Sequence, residues 1–313
     1  SNFKNWFLQL TGMKLGKDVC MPHYHYIDYY FPELIRVDDG SLVGGLSKLH
    51  THQIIEKEGK KKLLIGRVHI KKNTLLAGLS NIYPGVTIGE NVITGMKCHI
   101  TEDCPDKSFV VSKNRVIKQW SDEDMKRLFH KSRNKKDYYS DFRKKTKEFR
   151  KDKKQMVVRI LNDGKRLNPG CEWYLARPTW RIFYNAFFVE LARICCLNSI
   201  RKFLWRCMGA NIGKNVNIGK GTIFDHIYGD KVVIGNNVNI GKGCYLDGHS
   251  YTIGESVFGR IKIGDNVRLG DNVHVMCGVT ISDNAAVLSD SSVLKDIGEG
   301  ETWKGIPAKR VED

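Results

Sequence analysis

A chain of 313 residues with ordinary apolar and aromatic content can bury a sizeable core and divides by length into two or three domains. Its 51 Lys and Arg against 34 Asp and Glu give a net charge of +17, which favours polyanions, nucleotide phosphates or an anionic membrane surface as partners. Nine cysteines without CxxC or zinc-type spacing, no secretory h-region and no uncharged apolar run of about eighteen residues argue against a disulfide scaffold or a membrane span, and a cytoplasmic setting is expected.

From Val37 one register repeats every six positions: Val37, Val43 and Leu49, then after a gap Ile70, Leu76, Ile82, Ile88, Thr94 and Ile100. This is neither the alternation of a lone strand nor the period of a helix. One inward side chain per hexad, followed by Gly or Asn, predicts a short strand and a corner. Three hexads close a triangular coil, which buries its apolar residues only by stacking on the next coil at about 4.8 Å.

Residues 119–166 break the rhythm. They include KSRNKKDYYSDFRKKTKEFRKDKK, in which half of the 24 residues are Lys or Arg and four are acidic. A solvated helical hairpin or a partly disordered arm is expected there. Residues 172–206 mix aromatics, aliphatics and spaced arginines, and predict one or two amphipathic helices. Together with the net charge, arm and helices suggest attachment to an anionic membrane face or a lipid-linked glycan. No nucleic-acid-binding motif is present, so nucleic acid is not an expected partner.

A second register follows: Ile234, Ile240 and Leu246, then Ile263, Leu269, Val275, Ile281, Val287 and Val293. It copies the first. A shift of 197 superposes Gly12 on Gly209, Asp28 on Asp225, Leu49 on Leu246 and His52 on His249, and beyond the gap a shift of 193 superposes Arg67 on Arg260. The expected fold is mainly β, two tandem parallel β-helices over residues 1–118 and 200–313, joined by a basic helical connector at 119–199.

Both copies break their rhythm just after a histidine, at His52 in LHTHQIIEKEGKKKLLIGR and at His249 in LDGHSYTIGESVFGR. Histidine suits proton transfer because its ordinary pKa near 6.5 leaves a neutral base at pH 7. Counting hexads puts Asp225 on the same face as His249 one coil away, and Asp28 likewise beneath His52, so each base has a carboxylate to orient it. The bland alternative is that the histidines cap strand ends and the aspartates satisfy turn N–H groups. His50 and the loop lysines Lys57 and Lys60 to Lys62 are accessory candidates. His23, His25, His69, His99, His226 and His274 have no repeated counterpart and read as surface or rung residues.

The motifs VVIGNNVNIGKGCYL, IKIGDNVRLGDNVHVMCGVTISDNAAVLSDSSV and TWKGIPAKRV resemble the hexapeptide-repeat acyltransferases. The resemblance covers 10–117 and 207–311. It implies left-handed β-helices, an acyl-coenzyme A donor, usually acetyl-CoA, and a histidine that deprotonates a hydroxyl-bearing acceptor such as a sugar or polysaccharide precursor. It also implies a homo-oligomer, commonly a trimer, or a pairing of the two halves.

The terminal segment resembles the coil end that members place against coenzyme A. The resemblance assigns Trp303, Gly305, Pro307, Ala308 and Lys309 to that site, with Pro307 and Ala308 on the pantetheine and Lys309 or Arg310 at phosphate. The first copy departs from it, with VSKNRVIK at the aligned positions. One β-helix family holds zinc through a histidine pair five residues apart. This chain has no such pair, so no metal is expected. Acyl transfer to an amine, or a non-catalytic scaffold that binds a partner, are the alternative functions.

Overall fold

A computed structural model describes residues 2–21, 26–57, 59–112, 114–129, 134–161, 173–252 and 255–312. His23 and His25 lie outside the described residues. The chain forms two compact units, the first built on Ser1–Asn134 and the second on Lys135–Leu161 with Glu172–Asp313. The expected connector at 119–199 is thus shared between them.

The fold is mainly β, with short strands stacked in parallel sheets. In the first unit Lys14–Leu15, Ile35–Val37, Val68–Ile70 and Thr87–Ile88 form one stack. Tyr26–Ile27, Lys48–Leu49, Asn81–Ile82 and His99–Ile100 form a second, and Leu42–Val43, Leu75–Leu76, Ile93–Thr94 and Ser108–Val111 a third. The register positions point inward: Val37, Leu49, Ile70, Leu76 and Ile82 are all fully buried in one core. The gap in the hexad register is an antiparallel hairpin, His52–Lys57 with Lys60–Ile65.

The second unit repeats this plan. Asn211–Ile212, Val232–Ile234, Ile261–Ile263 and Thr280–Ile281 stack in one sheet, and Ile223–Phe224, Tyr245–Leu246, His274–Val275 and Ser292–Val293 in another. The third sheet runs from Asn217–Ile218 to Thr302–Gly305 and closes on the antiparallel strand Ala308–Arg310. Corners are made by asparagines in the left-handed region, such as Asn237, Asn266 and Asn284, each tied to the next by side-chain amide bonds of 3.1–3.2 Å. Gly264 has no room for a side chain, since a Cβ there would lie 2.8 Å from the backbone N of Asp283.

Among the described residues six α-helices accompany the strands: α1 (Asn2–Leu10), α2 (Asp122–Phe129), α3 (Lys135–Lys151), α4 (Trp173–Ala176), α5 (Thr179–Ile194) and α6 (Asn198–Met208). The repeat extends to the helices that lead into each β stack. In α1, Lys4 Nζ donates to the Met21 carbonyl, and in α6 the matching Arg201 donates from Nε to the matching carbonyl of Ile218, at 2.9 Å.

Helix α3 departs from the expected solvated arm. Its charges face solvent, but Tyr138, Phe142 and Phe149 are buried with Val158, Ile160, Tyr228 and Phe258. The unanticipated strand Val157–Leu161 follows and pairs antiparallel with Glu255–Gly259. Among the described residues no helix is long and apolar enough to cross a membrane.

Candidate active site

In the second unit the strand pair Phe224↔Leu246 sets Asp225 and Asp247 beside one another on adjacent coils. The chain leaves the coil after Gly248 and enters the hairpin His249–Thr252 with Glu255–Gly259, where His249 faces Phe258. His249 Nδ1 makes a very short hydrogen bond to Asp225 Oδ2, and Asp247 Oδ1 lies 3.3 Å from the same nitrogen. A carboxylate only accepts, so Nδ1 carries a proton, and in the neutral ring the lone pair is the one on Nε2.

The pair is held from behind. Asp225 is fully buried, and its Oδ1 accepts backbone N–H bonds from Ile227 at 2.7 Å and Tyr228 at 2.5 Å. Tyr228 donates its hydroxyl to the Ala176 carbonyl at 2.9 Å, and its ring packs edge-on to Phe149 and Phe258. Arg177 grips Asp230 with two bonds of 2.6 and 2.9 Å. The His249 side chain keeps 22% of its surface exposed, with Tyr251 edge-on at 5.1 Å. Burial opposes the imidazolium, but the Asp225 and then the Asp247 carboxylates overcome it and raise the His249 pKa to about 9. Burial likewise works against the Asp225 anion, and His249 and the Tyr228 N–H hold its pKa below the usual carboxylate range.

The first unit carries the same pair. Asp28 is 1% exposed and its Oδ2 receives the backbone N–H of Thr51 at 2.9 Å and His52 Nδ1 at 2.5 Å. Burial alone would raise the Asp28 pKa; hydrogen bonds from Thr51, Tyr30 and His52 bring it down to about 2. Tyr30 and Phe31 stand edge-on to the His52 ring at 5.2 and 5.9 Å. The surroundings differ, because this hairpin leaves Ile54, Leu63 and Ile65 exposed.

The four candidate residues therefore form two Asp–His pairs, each inside its own unit. The terminal residues sit on a different sheet. Trp303 pairs with Arg310, and Gly305 with the buried Ala308, in the hairpin that ends the second unit. Trp303 Nε1 donates to Glu301 at 2.9 Å and Arg310 pairs with the same carboxylate at 3.3 Å, while Lys309 stands opposite Lys304 in the hairpin.

Sequence reasoning passed over Asp247, whose only signal was its alignment with His50. It also missed the aromatic cluster behind the hairpin. His274, read as a rung residue, is fully buried with Nε2 3.6 Å from Asp247 Oδ2. Ligand atoms of Asp225, Asp247 and His249 lie within 4.8 Å of one another.

Residues 260–288 match the family model described as the hexapeptide repeat of succinyl-transferase, the same repeat that the hexad register marks. The chain is 29% identical over 108 residues to "Putative acetyltransferase YvoF" of Bacillus subtilis strain 168, an alignment covering 34% of this chain and 60% of that protein. The match spans less than two thirds of that relative. Among solved structures, a hexapeptide-repeat-containing acetyltransferase of Vibrio cholerae complexed with acetyl coenzyme A is 20% identical, covering 42% of this chain and 86% of that one with a TM-score of 0.34. A maltose O-acetyltransferase of Clostridium difficile 630 is 21% identical over 42% of this chain and 86% of that one, with a TM-score of 0.31.

Proposed function

We propose that the chain is an acetyl-CoA-dependent O-acetyltransferase acting on a sugar or polysaccharide precursor, built as two tandem left-handed β-helices with a helical connector. The observation that carries this reading is the repeated Asp–His pair at the mouth of a hairpin. Its protonated Nδ1 is held by a buried carboxylate, so that the ring in its neutral form offers Nε2 to an acceptor hydroxyl.

In the proposed reaction His249 Nε2 takes the acceptor O–H proton while the oxygen forms a bond to the thioester carbonyl carbon of the donor. The C–S bond then breaks, and the proton on Nε2 passes to the departing coenzyme A thiolate. Asp225 orients the ring and stabilises the imidazolium between these steps. Trp303, Gly305, Pro307, Ala308 and Lys309 are assigned to the coenzyme. The second unit is assigned the larger share of activity, because among the described residues its hairpin is braced by a buried aromatic cluster and its terminal WKGIPAK is intact.

The test is acetyl-CoA turnover over a panel of sugar and amine acceptors, with His52→Ala, His249→Ala and the double variant. Loss of a general base is expected to lower kcat by about 10²- to 10⁴-fold in the double variant. Wild-type turnover in that variant overturns the mechanism, and a clear preference for amines overturns the acceptor class.

A further inference from the structure

Helix α5 has the composition of a buried helix but not its surroundings. Ile182, Asn185, Val189 and Ala192 form its inner face, and Asn185 Nδ2 fixes it to the His226 carbonyl at 2.7 Å. Its opposite stripe is equally apolar: Trp180, Phe183, Phe187 and Ile194 are each 60–67% exposed. Helix α6, packed beside it, adds Ile200 and Phe203, at 44% and 63% exposed. An apolar patch of this size costs solubility unless something covers it.

The charge around the patch indicates what covers it. Six Lys and Arg but a single acid, Glu190, lie within residues 173–208. Arg177 and Arg201 are buried and Arg193 pairs with Glu190 at 2.9 Å, which leaves Arg181, Lys202 and Arg206 as the surface surplus. A second copy docked face to face would set this positive surplus against itself. An anionic bilayer neutralises it, at roughly 1 kcal/mol per cation near the surface. The stripe contains aromatic rings suited to headgroup depth, and α5 is too short and too charged to span.

We propose that the exposed face of α5 and α6 docks on an anionic phospholipid bilayer, with both helices parallel to the membrane plane. The docking is independent of the reaction proposed above. The test is flotation of the full chain with phosphatidylcholine vesicles prepared with and without phosphatidylglycerol. Binding is expected only with phosphatidylglycerol, weakening as salt rises. Replacing Phe183, Phe187 and Phe203 by Ser is expected to weaken it by about tenfold per residue. Brominated acyl chains are expected to quench tryptophan emission less in Trp180→Phe.

Circular dichroism checks that the triple variant folds. If it does not, the surface variant Lys202→Glu with Arg206→Glu replaces it and is expected to lose the lipid dependence. The proposal is overturned if the full chain fails to float with phosphatidylglycerol vesicles, or if the folded variants float as the parent does. It is also overturned if the phenylalanine variant turns an oligomer into a monomer by light scattering with vesicle binding unchanged, which would give the face to a second copy.

Discussion

Asp225 has to do two jobs that an amide cannot combine. Asparagine still accepts the Ile227 and Tyr228 N–H bonds through its oxygen, but it then offers an N–H group where the imidazole needs an acceptor. The ring responds by carrying its proton on Nε2, which removes the base. Asp225→Asn is therefore expected to fold normally and to lose about 10²- to 10⁴-fold in the second unit's kcat, as His249→Ala does, checked by steady-state kinetics in a His52→Ala background. Asp247 acts on the imidazole through its charge, and its Oδ1 also accepts the His249 backbone N–H at 3.3 Å. With the His249 pKa raised to about 9, kcat/KM in that background is expected to climb through the alkaline range. Asp247→Asn removes one of the two carboxylates that raise it and moves the limb to lower pH. The sign also holds for stability: the pair's stabilising contribution is full below the unfolded histidine pKa near 6.5 and is lost as pH rises through about 9.

The hairpin that carries His249 depends on elements remote in sequence. Phe142 of α3 is fully buried and meets Phe258, the residue opposite His249, edge-on at 5.7 Å. Truncating it leaves a cavity under the base. Phe142→Ala is expected to cost about 3–5 kcal/mol in urea unfolding of the second unit and to lower turnover there without altering the Asp225 contact. Why this support was not legible follows from the same residues. The Asp–His pairing was readable because a repeat of fixed hexads writes it twice, 24 residues apart in each copy. Tyr138, Phe142 and Phe149 share one helix face, yet their stretch is half Lys and Arg, so composition pointed to a solvated arm. The strand Val157–Leu161 finds its partner only across almost a hundred residues, at Glu255–Gly259, and no local periodicity announces such a pairing.

At the scale of the whole molecule, each unit carries an Asp–His pair of its own. Asp28 meets His52 inside the first unit and Asp225 meets His249 inside the second, so neither imidazole takes its orientation from the other unit. The hexad pattern conveyed this much, since a coil that buries its own rung residues also closes its own Asp–His register. It also showed the copies diverging at the terminal WKGIPAK, against VSKNRVIK, and at Asp247, against His50; it did not convey the hairpin support, which comes from residues outside the repeated positions. Independent pairs imply additive rates. The activity lost in His52→Ala plus that lost in His249→Ala is expected to equal the loss in the double variant, with the larger share belonging to His249 because its hairpin is braced and Asp247 adjoins it. Initial rates of the three variants at saturating acetyl-CoA check this. A single substitution that abolishes all turnover while the other leaves it unchanged would make one copy structural, and a combined loss from either alone would mean that the two units act on one acceptor together.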